Sequence, residues 1–108
     1  AERQYASVLA SVPDAVQARA RLATTLAAQN RPQEAIEVLR QGIQRTPEAP
    51  TLHRSLGRVL EKTGRVEDAI AAYRAYVRLA PNAKDAKEYN RHAAALDQRL
   101  QAERAANP

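Results

Sequence analysis

His53, His92, the carboxylates Glu34, Glu67 and Asp68, and the arginines Arg54 and Arg58 are the groups in this 108-residue chain with chemistry to offer. A histidine works as a base only with a defined nucleophile in reach, and as a metal ligand only with companions. Neither His53 nor His92 has a cysteine, a nearby Ser-Asp arrangement or a second histidine at ligand spacing. Glu34, Glu67 and Asp68 fall at predicted helix starts, where the positive end of the helix dipole already accounts for them. There is no Gly-rich phosphate loop, so the expectation is a noncatalytic chain without catalytic residues, bound metal or cofactor. Arg54 and Arg58 stand one helical turn apart, a like-charge pair that costs a few tenths of a kcal/mol on an isolated helix. A carboxylate from outside would relieve it, and the arginine fork suits such a group. The alternative is a solvated face on which Glu61 offsets Arg58.

These groups need helices to hold them, and the stretch from Pro47 to Pro81 reads as helix, turn, helix, stop. Leu52, Leu56, Val59, Leu60 and Thr63 recur at helical spacing. Pro50 suits a first helical turn, where its missing N–H has no intrahelical partner. Gly64 supplies the left-handed residue that ends the helix. Val66, Ala69, Ile70, Tyr73 and Val77 form the apolar side of a second helix, which Pro81 closes.

Composition agrees. The chain is long enough for one domain, and with no Phe, Trp, Met or Cys its interior must be filled by Leu, Ile, Val, Ala and four Tyr. Such a filling suits closely approaching helices. The absence of cysteine excludes disulfides and thiolate sites but leaves the compartment open, so that bacterial cytoplasm and periplasm are both compatible. No run approaches the roughly 18 apolar residues of a membrane span, so no insertion by this chain is expected. Seventeen basic and 12 acidic residues give a net charge of +5. The excess is spread evenly, six to four over residues 1–47, six to four over 48–81 and five to four over 82–108. Nucleic-acid binders concentrate their charge on a face or stripe, so nucleic acid is not expected as a partner.

The chain repeats itself at an interval of 34: Pro13, Pro47 and Pro81; Ala1, Ala35 and Ala69; Tyr5, Leu39 and Tyr73; Leu9, Ile43 and Val77. Leu22 pairs with Leu56, Ala23 with Gly57 and Leu26 with Leu60 at the same interval. With His53, Leu56-Gly57, Leu60, Ala69, Tyr73 and Pro81 in one copy, and Arg19, Leu22-Ala23, Leu26, Ala35, Leu39 and Pro47 in the other, the chain resembles the tetratricopeptide repeat. His53 and Arg19 replace the large aromatic usual in the first helix, His53 as a packing substitute. The resemblance implies an all-α fold, a right-handed superhelical stack of antiparallel helix pairs. Small residues at Ala23, Ala35, Gly57 and Ala69 would let the helices of a pair approach closely.

The expected division is residues 1–13 as the second helix of a truncated repeat, 14–47 and 48–81 as full repeats, and 82–108 as a C-terminal capping helix close to the natural end. Residues 1–12 match only a second helix, as in a fragment of a larger array. Asp14 is the expected N-cap of the first full unit, Asn30 takes the place of Gly64, and Pro32 opens the next helix. After Pro81, Asn82 is expected to cap the last helix, with Asp85 in a capping-box-like position. The stripe Ala86, Tyr89, Ala93, Leu96, Leu100 then covers the end of the stack.

By the same resemblance, first helices line an inner groove that holds a partner's peptide or helix. Here that groove would be lined by Gln17, Ala20, Arg21, Thr24 and Ala28, then by Thr51, Arg54, Arg58 and Glu61, with Glu88 and His92 completing it. Its cations point to an acidic partner. The lysine and asparagine clamp by which some relatives grip chaperone tails is not supplied by the matching Ala20, Thr24, Ser55, Asp85 and Tyr89. The resemblance thus implies a protein-interaction scaffold, of the kind found in bacterial, including cell-envelope, assemblies. The alternative is self-association, a homodimer formed through Tyr5, Val8, Leu9 and Val12, each worth about 1.5 to 3 kcal/mol when buried.

Overall fold

Proline at helix starts and left-handed residues at helix ends divide the chain in the computed structural model, which describes residues 15–107. Among these described residues five helices follow one another: α1 (Val16–Ala28), α2 (Pro32–Arg45), α3 (Pro50–Lys62), α4 (Val66–Leu79) and α5 (Ala86–Ala106). Pro32 and Pro50 stand in the first turns of α2 and α3. Asn30 at φ 61° and Gly64 at φ 79° are the positive-φ residues among those described. Each ends its helix in a Schellman arrangement. The Arg31 amide donates to Leu26 and the Asn30 amide to Ala27; 34 residues on, Arg65 donates to Leu60 and Gly64 to Glu61. The two turns also carry equivalent ion pairs, Arg31 with Glu34 and Arg65 with Asp68. These pairs sit where the sequence invoked the dipole alone.

The helices pair as α1 with α2 and α3 with α4, α2 packs on α3, α1 on α3, and α5 on α4. Leu22, Leu26, Ile36, Leu39, Leu52, Leu56, Leu60, Ile70 and Tyr73 form one continuous core. Ala23, Ala35 and Ala69 are fully buried at the crossings. Gly57 serves a more particular end, since a Cβ there would come within 2.6 Å of the Tyr73 ring. Arg19, in the bulky first-helix place, is buried with its Cδ against Gly42 and its guanidinium donating to the Val38 carbonyl at 3.2 Å. Its counterpart His53 is half-exposed, with Nε2 2.9 Å from the Pro47 carbonyl.

Three expectations are corrected. Helix α4 buries Ala72, Ala75 and Tyr76 beyond the expected stripe, because it is covered by α3 on one side and α5 on the other, whereas Val77 is half-exposed. Helix α5 does not start at an Asn82 cap. It begins at Ala86 with Asp85 in the N-cap place, and Asp85 makes no cap hydrogen bond. The Asp85 backbone, at φ −99° and ψ 7°, lies outside the extended region from which an N-cap side chain reaches the helix amides, and its carboxylate is engaged elsewhere. Helix α1 has Ala15 in its N-cap place; Asp14 lies outside the described residues, as do Tyr5, Val8, Leu9 and Val12. The expected stripe of α5 is buried at Ala86, Ala93 and Leu96, with Tyr89 and Leu100 partly covered.

Candidate functional site

The interval of 34 puts equivalent residues of α1, α3 and α5 in rows: Gln17, Thr51 and Asp85; Ala20, Arg54 and Glu88; Arg21, Ser55 and Tyr89; Thr24, Arg58 and His92. A depression of about 350 Å³ opens between α1 and α3, lined by Gln17, Ala20, Arg21, Thr24, Thr51, Arg54 and Arg58 with Thr25 and Ser55. Ala28 lines a smaller adjoining one with Thr24, Ser55 and Arg58. Arg58, Glu61 and His92 meet in a third, of about 390 Å³, with Lys62, Tyr73 and Tyr89. Glu88 and His92 share a fourth with Asp85 and Tyr89. Arg58 lies at the junction of three of these hollows.

The helices are spaced unevenly along this face. Helices α1 and α3 pack directly, but α5 rests on α4 and its backbone stays apart from α3. Two side-chain bridges span that gap. In the first, Glu61 Oε1 accepts the Tyr73 hydroxyl at 2.7 Å and lies 2.8 Å from His92 Nε2. Burial pushes the Glu61 carboxyl up, but the hydrogen bonds from Tyr73 and His92, with the charges of His92 and Arg99, outweigh it and hold it below the usual value. Burial and then the Glu61 carboxylate push the Tyr73 hydroxyl well above the tyrosine range. In the second bridge, Arg54 Nη1 stands 3.1 Å from Asp85 Oδ2 and 3.3 Å from the Tyr76 hydroxyl, with its guanidinium 5.2 Å from the Tyr76 ring centroid. The Tyr76 hydroxyl donates to the other Asp85 oxygen, and this bond, against burial and with Arg54, holds the Asp85 carboxyl low.

Three expectations change here. Glu61 does not pair with Arg58; it is taken by Tyr73 and His92. His92 is not isolated, since it meets Glu61 and stands edge-on to Tyr73 at 5.5 Å. Arg54 is not an unrelieved like-charge neighbour of Arg58, because Asp85 already neutralises it. Among the described residues Arg21 and Arg58 have no carboxylate within ion-pair distance. His53 lies away from these rows, in a hollow with Ile43, Leu56 and Ala75. Tyr76 and Tyr73 enter the site without having been expected there, and Asp85 and Tyr89, placed there by the sequence only at clamp positions they do not fill, take part in it by other contacts. The row Gln17, Thr51, Asp85 was the signal that could have pointed to the carboxylate meeting Arg54.

Among the described residues no group of three or more His, Cys, Asp or Glu could hold a metal ion, and no helix is long and apolar enough to cross a membrane. Stacked helix pairs at a fixed interval, closely crossed through small residues and open along their first helices, define a helical-repeat scaffold for protein interaction. The chain belongs to the tetratricopeptide repeat family, whose model matches residues 1–50 and 21–84. Solved structures of MamA share its right-handed solenoid fold. A mutant form matches at TM-score 0.68 and 21% identity over 99% of this chain and 60% of that one. MamA 41-end from Desulfovibrio magneticus RS-1 matches at 0.65 and 19%, covering 99% and 67%, and MamA AMB-1 at 0.60 and 22%, covering 99% and 68%. The chain thus spans 60% of the first of these proteins. No curated protein matches the sequence.

Proposed function

We propose that the chain is a noncatalytic scaffold that seats an acidic peptide or helix of a partner protein along α1, α3 and α5, within a multiprotein assembly. In this reading residues 14–47 and 48–81 are the full repeats and 82–108 the cap. The observation that carries it is the hollow between α1 and α3, where Arg21, Arg54 and Arg58 converge among neutral residues and no carboxylate lines the wall. Arg21 and Arg58 face this open space unpaired among the described residues and attract an anion, with Arg54 at its wall paired to Asp85. The flanking Gln17, Thr24, Thr51 and Ser55 offer donors and acceptors to a peptide backbone.

The test is a fluorescence-anisotropy titration with a fluorescein-labelled peptide of alternating Glu and Ala. Arg21→Ala and Arg58→Ala are each expected to weaken binding about tenfold, the loss of one charge-assisted hydrogen bond of at least about 1.5 kcal/mol. Binding should also fall as salt rises. Equal affinity of wild type and both variants would end the proposal.

A further inference from the structure

We propose that Asp85 is a built-in competitor of the acidic partner: in the free protein its carboxylate occupies Arg54, and a partner carboxylate must displace it to use that arginine. The inference rests on the groove reading above and adds to it which residue regulates entry. Asp85 belongs to the row of Gln17 and Thr51, so the repeat itself delivers a carboxylate to the groove at the position where the earlier units carry neutral side chains. Although it stands in the N-cap place of α5, Asp85 leaves the helix amides uncapped and reaches Arg54 and Tyr76 instead. Arg54 in turn lines the cationic hollow. One guanidinium therefore faces both the internal carboxylate and the space a partner would enter.

The contact is built to exchange. The side chains of Arg54 and Asp85 are 32% and 31% exposed, and an ion pair so open to water is weak and readily replaced. A buried pair would instead strand a charge when broken. The Tyr76 ring beneath the guanidinium would hold Arg54 in place during the swap, while the Tyr76 hydroxyl, by donating to Asp85, helps to keep that carboxylate at Arg54 in the free protein. Arg21 and Arg58 face no such competitor among the described residues. The groove accordingly offers two cations at once, and a third only to a ligand whose carboxylate outbids Asp85.

The experiment measures the affinity of the same Glu-Ala peptide for wild type, Asp85→Asn, Arg54→Ala and the double variant. Asp85→Asn is expected to tighten binding about threefold, the scale of a half-exposed ion pair, and to change nothing once Arg54 is alanine. Glu37→Gln, which alters net charge equally on exposed α2 surface, should not reproduce the gain. Tyr76→Phe keeps the ring but removes the hydroxyl that steadies Asp85, so it should tighten binding to a smaller degree and carries the test if Asp85→Asn misfolds. A gain from Asp85→Asn that persists without Arg54, or no gain at all, overturns the inference. Binding that responds to Arg21 and Arg58 but not to Asp85 leaves the groove reading intact and removes only the competitor. Binding by none of the proteins removes both.

Discussion

Gly57 lacks a side chain because the Tyr73 ring fills the space one would need. The ring is 2% exposed and its hydroxyl is tied to Glu61, so it has nowhere to retreat. Gly57→Ala and Ala69→Leu should each destabilise the fold by about 1 to 3 kcal/mol through overpacking. At about 4 to 8 °C per kcal/mol, a thermal melt followed by circular dichroism will resolve either change. Unchanged melting temperatures in both would count against the register. Small residues at positions 23, 35, 57 and 69 were legible in the sequence, because a close crossing constrains residue size directly. What Gly57 makes room for was not, since a one-dimensional pattern does not say which neighbour's side chain crosses the interface.

Helix α5 is held at the scale of the element by an apolar stripe on α4 and by two polar bridges to α3. The stripe was readable from its period. The bridges were not: Asn82 and Asp85 fit a capping pattern, but Tyr76 and Arg54 offered Asp85 partners more than a turn of chain away, and those won. The same limit hid the pairing of Glu61 with Tyr73 and His92. Both bridging carboxylates, Glu61 and Asp85, are held below their ordinary values of 4.5 and 3.8 in the folded protein. Their contribution is thus fully present above the ordinary carboxylate range and is lost as pH falls through the lowered folded values. Hydrogen exchange of the α5 amides is expected to accelerate relative to α3 as the solution is acidified below pH ~4.5. Glu61→Gln should flatten that acid limb, and an α5 whose protection ignores both pH and Glu61→Gln would show that the stripe alone docks it.

For the whole molecule, stability is built from neighbour-to-neighbour interfaces, and the apolar core runs along the stack from one helix to the next among the described residues. The α3–α4 pair is packed from two sides, by α1 and α2 on α3 and by α5 on α4. Residues 101–107 of the chain's last turns are exposed throughout. Amides of α3 and α4 should therefore exchange slowest and those beyond Leu100 fastest, and uniform protection along all five helices would contradict a stack of semi-independent units. The helical-repeat fold was legible because an interval of 34 is repeated by prolines, core residues and turn residues together. The groove's rows were also legible, but not the occupancy of its arginines, which depends on where long side chains come to rest.

The aromatic seam between α4 and α5 has a spectroscopic consequence. The chain has no tryptophan and four tyrosines, of which Tyr73, Tyr76 and Tyr89 form a cluster with ring centroids 5.1 and 5.4 Å apart. Tyr73 and Tyr76 each donate to a carboxylate. Three of the chain's four tyrosines thus share one junction, and the near-ultraviolet dichroism of an unlabelled sample serves as an optical gauge of whether α5 is seated.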